Sequence, residues 1–162
     1  METIAVYWER RIKTYGFEKL ADLALIEFSY PLGRIKSLGE ILSQDDLQAL
    51  NPKFMIAQES DGEISLLLCA AADKGKRFHE SVKRETGRAS HRYIHPVGII
   101  FFHGPHFGDR YGIADATFSA LLRSDIPILA SGCSSSSIYL VLAQDSMDKA
   151  VEVLSKPFEV AK

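Results

Sequence analysis

Cysteine is scarce: Cys69 and Cys133 are the only two in 162 residues, and they form no close-spaced pair. A disulfide-built domain is therefore excluded. Both lie in apolar or small-residue segments, so buried thiols in a reducing compartment are expected. Neither sign of charge is in excess. Nineteen Lys and Arg face 21 Asp and Glu, for a net charge of −2. That balance argues against a nucleic-acid or anionic-membrane surface. Long apolar runs are missing too: no segment approaches the roughly 20 residues of a membrane span. The start, METIAVYWERRIKTYGF, has only a brief apolar stretch before its basic residues and does not read as a signal peptide. A cytoplasmic protein is expected. Hydrophobic residues, in contrast, make up 46% of the chain, enough for a packed core.

The chain repeats itself, and an internal repeat constrains the whole fold. ALIEFSYP (24–31) lies over GIIFFHGP (98–105) at an offset of 74. The same offset places ISLLL (64–68) over IYLVL (138–142), and FMI (54–56) over ILA (128–130). Each copy runs from an apolar strand through a loop to an amphipathic helix. Ile35, Leu38 and Leu42 form the apolar stripe in the first copy; Ala114, Phe118, Leu121 and Leu122 form it in the second. A hairpin follows, turning at Asp61-Gly62 and at the Ser134–Ser137 run. A second helix closes each copy, striped by Phe78 and Val82, then by Met147, Ala150, Val151 and Leu154, with Asp145 or Ser146 as a cap.

The repeated unit is β-α-β-β-α with room for one more strand. This is the split βαβ plan of ferredoxin-like α+β folds, an antiparallel sheet with helices on one face. The expected units are 1–90, carrying an extra strand at IKTYGFEK, and 91–162, carrying ASHRYIHP in the corresponding place. The strands VGIIFF, ISLLL and IYLVL hardly alternate. Such strands have both faces covered. Helices cover one, so a second copy of the chain or another chain is expected on the other.

The stretch GPHFGDRYGIADATFSAL (104–121) carries the chemical question, because a strand, three glycines and a helix start suit an anion. It lacks both the G-x-x-x-x-G-K-[ST] phosphate loop and the G-x-G-x-x-G dinucleotide pattern. His91, His95, His103 and His106 are dense, but Asp109 is the one acid close to them, and polar loop or strand-edge roles are expected rather than a metal site. No nucleophile–base–orienter set stands out. An enzyme is not expected, nor is a cofactor.

The order of these motifs resembles the ACT domain, a small-molecule-binding regulatory module, and most of all the paired ACT region of aspartate kinases. Gly104, then Tyr111-Gly112-Ile113-Ala114, then Phe118-Ser119-Ala120-Leu121 fit the frame of that family's second unit without a gap. FMIAQ (54–58) matches a strand of its first unit, and the resemblance runs from about Ile12 to Val160. Departures are visible. Tyr111 stands for a proline, Leu32 for an aspartate, and Gly132 lies where the first copy has Gln58. The 162 residues hold no kinase domain.

The resemblance implies binding of an amino acid or similar metabolite. Gly112 admits a ligand close to the backbone, the N–H groups near Ile113 and Ala114 receive a carboxylate, and Asp109 receives an ammonium group. Gly108, Arg110 and Tyr111 complete that loop. Gln58 with Pro31, Gly33 and Arg34 forms the corresponding candidate in the first copy. The bland alternative is that the glycines only shape a connection. The expected function is regulatory, with the chain as a homodimer or higher oligomer. The alternative is a ligand-free ACT-like assembly module, or a regulatory subunit that joins a metabolic enzyme.

Overall fold

The structure is a computed structural model and describes residues 11–43, 49–86, 90–134 and 136–160. The described residues include, in order, β1 (Ile12–Thr14), β2 (Phe17–Pro31), α1 (Ile35–Ser43), β3 (Phe54–Ser60), β4 (Glu63–Ala71), α2 (Ala72–Thr86), β5 (His91–His103), α3 (Ile113–Leu122), β6 (Ala130–Cys133), β7 (Ser137–Ala143), α4 (Met147–Leu154) and β8 (Phe158–Val160). The sheets are antiparallel apart from the short β1–β8 pair, which is parallel. The α+β class and the repeated unit are as the sequence predicts.

Two compact units divide the chain. One is Asp22–Val97; the other joins Met1–Ala21 to Gly98–Lys162. This differs from the expected division at 90/91. Both β2 and β5 run across a boundary, between Ala21 and Asp22 and between Val97 and Gly98. A break in hydrophobic pattern marks neither crossing.

In the Asp22–Val97 unit the strand order is β3-β4-β2-β5. Leu25 pairs with Cys69 and Phe28 with Leu66, while Phe54 pairs with Cys69 from the other side. Ile26, Phe28, Leu66 and Leu68 point to the helical side and form a core with Leu38, Phe78 and Val82. The β3–β4 turn is Asp61-Gly62, with φ of 53° and 78°. Positive φ at both central residues is the hairpin geometry whose twist matches the strands. Leu38 and Leu42 keep their expected inward stripe, but Ile35 is exposed in the first turn of α1.

In the other unit the order is β2-β5-β7-β6, with β1 and β8 paired beside it. Its core gathers Ile100, Phe102, Leu140, Leu142, Leu154 and Phe158. The helical stripe of α3 is Ile113, Thr117 and Leu121, not the expected Ala114, Phe118 and Leu122. Ala114 is exposed, Leu122 is 67% exposed, and Phe118 is half-buried. The helix is apolar nearly all round, so its periodicity left the inner face undetermined. Thr117 is buried because its hydroxyl donates to the Ile113 carbonyl at 2.8 Å. Ser146 stands at the cap position of α4, yet its hydroxyl donates to Asp145 rather than to the helix, so the expected cap bond is absent. The end of α4 is tied instead by Arg11, whose guanidinium donates to the carbonyls of Ser155, Lys156 and Phe158.

Strand residues opposite the helices are also buried. Leu23, Leu25, Cys69, Val97, Ile99 and Val141 are 0–5% exposed within the single chain. The two-sided apolar pattern is thus satisfied within one chain and does not by itself require a second copy. Burial pushes the Cys69 thiol up to about 12. Cys133, expected to be buried, is exposed at the end of β6.

His79 on α2 and His91 on β5 meet edge to face, 5.8 Å apart, with Tyr93 beside His79. Burial first, and then the Lys83 ammonium, hold His79 below its ordinary 6.5, while Glu80 opposes. His91 is lowered by burial and then by His79 and Lys83. The folded state therefore takes up fewer protons than the unfolded chain, and stability is lost as pH falls below about 6.5. The melting temperature is expected to drop between pH 7.5 and 5.5, and the drop to be smaller in His79→Gln. Equal slopes in both proteins would show that this pair does not titrate with folding.

Candidate functional site

The loop between β5 and α3 begins at a close contact. A Cβ on Gly104 would meet the Lys13 carbonyl oxygen and come within 3.0 Å of the Thr14 Cα. Gly104 is therefore a packing glycine that lets β1 pass over the end of β5. Two bonds fasten the same place: the Thr14 hydroxyl and the Tyr15 N–H donate to the His103 carbonyl at 2.7 and 2.9 Å. Phe107 then turns inward, edge-on to Phe102 at 5.9 Å and near Phe158 at 6.2 Å. The loop is pinned by that ring.

Beyond Phe107 the backbone folds on itself. His106 has a φ of 67°, and its carbonyl accepts from the N–H groups of Asp109 and Arg110 at 3.2 and 2.9 Å. Asp109 also faces the His106 ring, with Nδ1 3.2 Å from Oδ2. Gly108, Asp109, Tyr111, Gly112 and Ala114 are exposed, Tyr111 at 89%; Arg110 is half-buried. Ile113 is the exception, since its side chain enters the core. Gly112 takes the left-handed φ of 83° at the cap position of α3, and no side chain caps the helix. Ala116 makes the first helical bond, to the Gly112 carbonyl at 2.9 Å. The earlier N–H groups of the first turn have no intrahelical partner. Gly108–Gly112 and the start of α3 thus lie along one exposed stretch, with Asp109 engaged by His106, a contact that the sequence spacing did not reveal.

The first-copy candidate is divided. Gln58 is exposed on the edge strand β3, in a row with Ser65 and Ser29, whose hydroxyls lie 3.0 Å apart. That row points away from the core formed with α1 and α2, because the neighbouring Leu66 and Phe28 point into it. Leu32–Arg34 close into a 3₁₀ turn, and the Leu32 N–H donates to the Gly62 carbonyl at 2.8 Å. Pro31, Gly33 and Arg34 are all exposed, with the Arg34 guanidinium 5.8 Å from the Tyr30 ring. Gln58 and this turn share an end of the sheet, two strands apart, but not a pocket.

The four clustered histidines separate. His91 stacks near Phe28, His103 on Phe101, and His106 pairs with Asp109. His95 is exposed beside Pro96. Among the described residues no three potential metal ligands converge.

No protein-family model matches the sequence, and no curated protein does. Solved structures do. The regulatory subunit of aspartate kinase from Thermus flavus superposes with a TM-score of 0.74 at 12% identity, over 90% of this chain and 98% of that one. This chain has the paired ACT fold of aspartate kinase regulatory regions. Aspartate kinase from Clostridium acetobutylicum gives 0.72 at 20% identity, over 94% of this chain and 37% of the other. E. coli aspartokinase III in complex with lysine and aspartate gives 0.58 at 14%, over 91% and 34%. At these identities the likeness is one of fold.

Within this chain the two loop glycines have separable costs. Gly104→Ala is expected to destabilise by about 1–3 kcal/mol, because backbone must move. Gly112→Ala, which has nothing within 4 Å of its Cβ position, is expected to cost about 1 kcal/mol for its backbone angle alone. Urea midpoints at unchanged slope check both. A larger loss at Gly112 would reverse the assignment of roles.

Proposed function

We propose that this chain is a regulatory protein of the ACT type rather than an enzyme, and that it takes an amino acid or related metabolite at the edge formed by Gly108–Gly112 and the first turn of α3. The observation that carries the proposal is the uncapped start of α3 behind a pinned, exposed loop. Its N–H groups and the positive end of the helix favour a carboxylate. Asp109 supplies the opposite charge for an ammonium group. A carboxylate accepts several donors, so its contact with His106 is compatible with that role. The other wall of the pocket comes from a second chain, and the functional form is a homodimer. The fold likeness to a regulatory subunit over nearly its full length supports a regulatory role, and the lysine and aspartate named for the E. coli relative support amino acids as the ligand class. In the first copy, Gln58 and the Pro31–Arg34 turn are the lesser candidate, since they face different ways. No helix among the described residues is long and apolar enough to cross a membrane.

The second reading is a ligand-free module that joins a metabolic enzyme as its regulatory subunit. A melting screen across the twenty amino acids separates the two. A ligand at 100 times its Kd adds about 2.7 kcal/mol of stability, an easily read shift. Asp109→Asn is then expected to weaken the selected amino acid ten- to hundredfold by calorimetry, since a charge-assisted partner contributes about 1.5–3 kcal/mol. No shift with any amino acid would sink the ligand-binding proposal and favour the second reading. Light scattering at micromolar concentration is expected to show a dimer; a monomer, with and without ligand, would remove the second wall from the proposed pocket.

A further inference from the structure

The helices α3 and α4 leave a cleft of about 510 Å³ beside them. They run in opposite directions. Lys149, near the start of α4, donates to the Ser124 carbonyl just past α3 at 3.0 Å. Phe107, before α3, lies 6.2 Å from Phe158, after α4. The cleft therefore has two distinct ends. Asp115, Lys156 and Pro157 stand at the end where α3 begins; Arg123 and Ser124 stand where it closes. Ala116, Ala120 and Val153 line the stretch between them. Two alanines one turn apart leave space that larger side chains would fill.

The chain enters this unit at one end of the cleft. Arg11 donates from its guanidinium to the carbonyls of Ser155, Lys156 and Phe158, and the Ile12 N–H donates to the Pro157 carbonyl at 2.8 Å. The pairing of β1 with β8 is parallel, with Ile12 opposite Phe158. Followed backwards from Ile12, the chain thus heads the same way as the chain before Phe158, toward Pro157 and Lys156. The segment that precedes Arg11 is METIAVYWER, outside the described residues. Its residues Ile4, Ala5, Val6, Tyr7 and Trp8 are all apolar or aromatic, with Glu2 and Glu9 on either side. The cleft offers opposite charges in the matching order, Lys156 at the entry and Arg123 at the far end. Asp115 shares the entry with Lys156, as Arg10 adjoins Glu9 in the segment. From Asp115 to Arg123 is about 12 Å along the helix axis, a length that about four extended or about eight helical residues span.

We propose that this cleft is a docking groove for residues 4–8 of the same chain, with Arg11 as the anchor at its entry. Ile4, Tyr7 and Trp8 supply the bulk that Ala116 and Ala120 lack, Glu9 meets Lys156, and Glu2 meets Arg123. An occupant already tethered beside its groove has a high effective concentration, so modest contacts suffice to hold it. The inference is independent of the loop site and does not require that loop to bind anything.

Trp8 is the single tryptophan of the chain, so its fluorescence reads the groove directly. In the whole protein its emission is expected to be blue-shifted and shielded from acrylamide, to the same degree at every protein concentration. Ala120→Leu fills the groove, and Arg123→Glu places a like charge against Glu2. Each is expected to shift the emission to the red and to raise the quenching constant severalfold, with a melting curve confirming a folded chain. Arg123 is exposed, so the second variant keeps the test open if the first fails to fold. A Trp8 as open to quencher as in the urea-unfolded chain would overturn the proposal. So would equal shielding in the parent and in either folded variant. Shielding that grows with protein concentration would overturn it as well, because the occupant would then belong to a second copy.

Discussion

Four phenylalanine rings from distant parts of the chain meet in one core, and the candidate loop depends on them. Phe102 of β5 lies 5.0 Å from Phe17 and 5.1 Å from Phe158, with Phe107 edge-on at 5.9 Å. Such pairs contribute about 0.5–1.5 kcal/mol each beyond their burial. The cluster joins the start of β2, the end of β5, β8 and the loop itself. Without Phe107 in that core, the turn from His106 to Gly112 would lose the ring that anchors it. The exposed donors of α3 would then have no set position.

Small residues complete this arrangement by allowing backbones to come close. Gly104 admits β1 at the end of β5, and Gly98 makes room for Met147, whose sulfur would collide with any Cβ there. A Cβ on Gly75 of α2 would lie 3.2 Å from Ala24 and Ile26, tighter than an ordinary contact. Gly112 is different, since it is required by backbone angle and leaves open space beside it. Glycines that look alike in sequence thus divide into three that close the structure and one that leaves a surface open.

The polar features follow the same division between held and available groups. Arg11 is consumed by the carbonyls after α4, and His106 and Asp109 engage each other. Arg123 and Lys156 line a cleft beside α3 and α4.

Much was legible in the sequence because it is local. The repeat at offset 74, the Asp61-Gly62 hairpin, the inward Leu38, Phe78 and Val82 stripes and the order of strands and helices all rest on patterns a few residues long. These are properties of backbone angles and side-chain period. What tertiary structure alone decided involves partners far away in the chain. The inner face of α3 was set by its neighbours, because an apolar helix carries no preference of its own. The division into units was set by β2 and β5 each crossing a boundary mid-strand, and an apolar strand reads the same on both sides. The burial of Leu25, Cys69 and Ile99 within one chain was likewise hidden, since a two-sided apolar strand does not say what covers it. The packing role of Gly104 was hidden as well, since the residue against it, Lys13, lies about ninety residues earlier in the chain. Sequence carries the period of each element; only the folded chain decides which surfaces are left over.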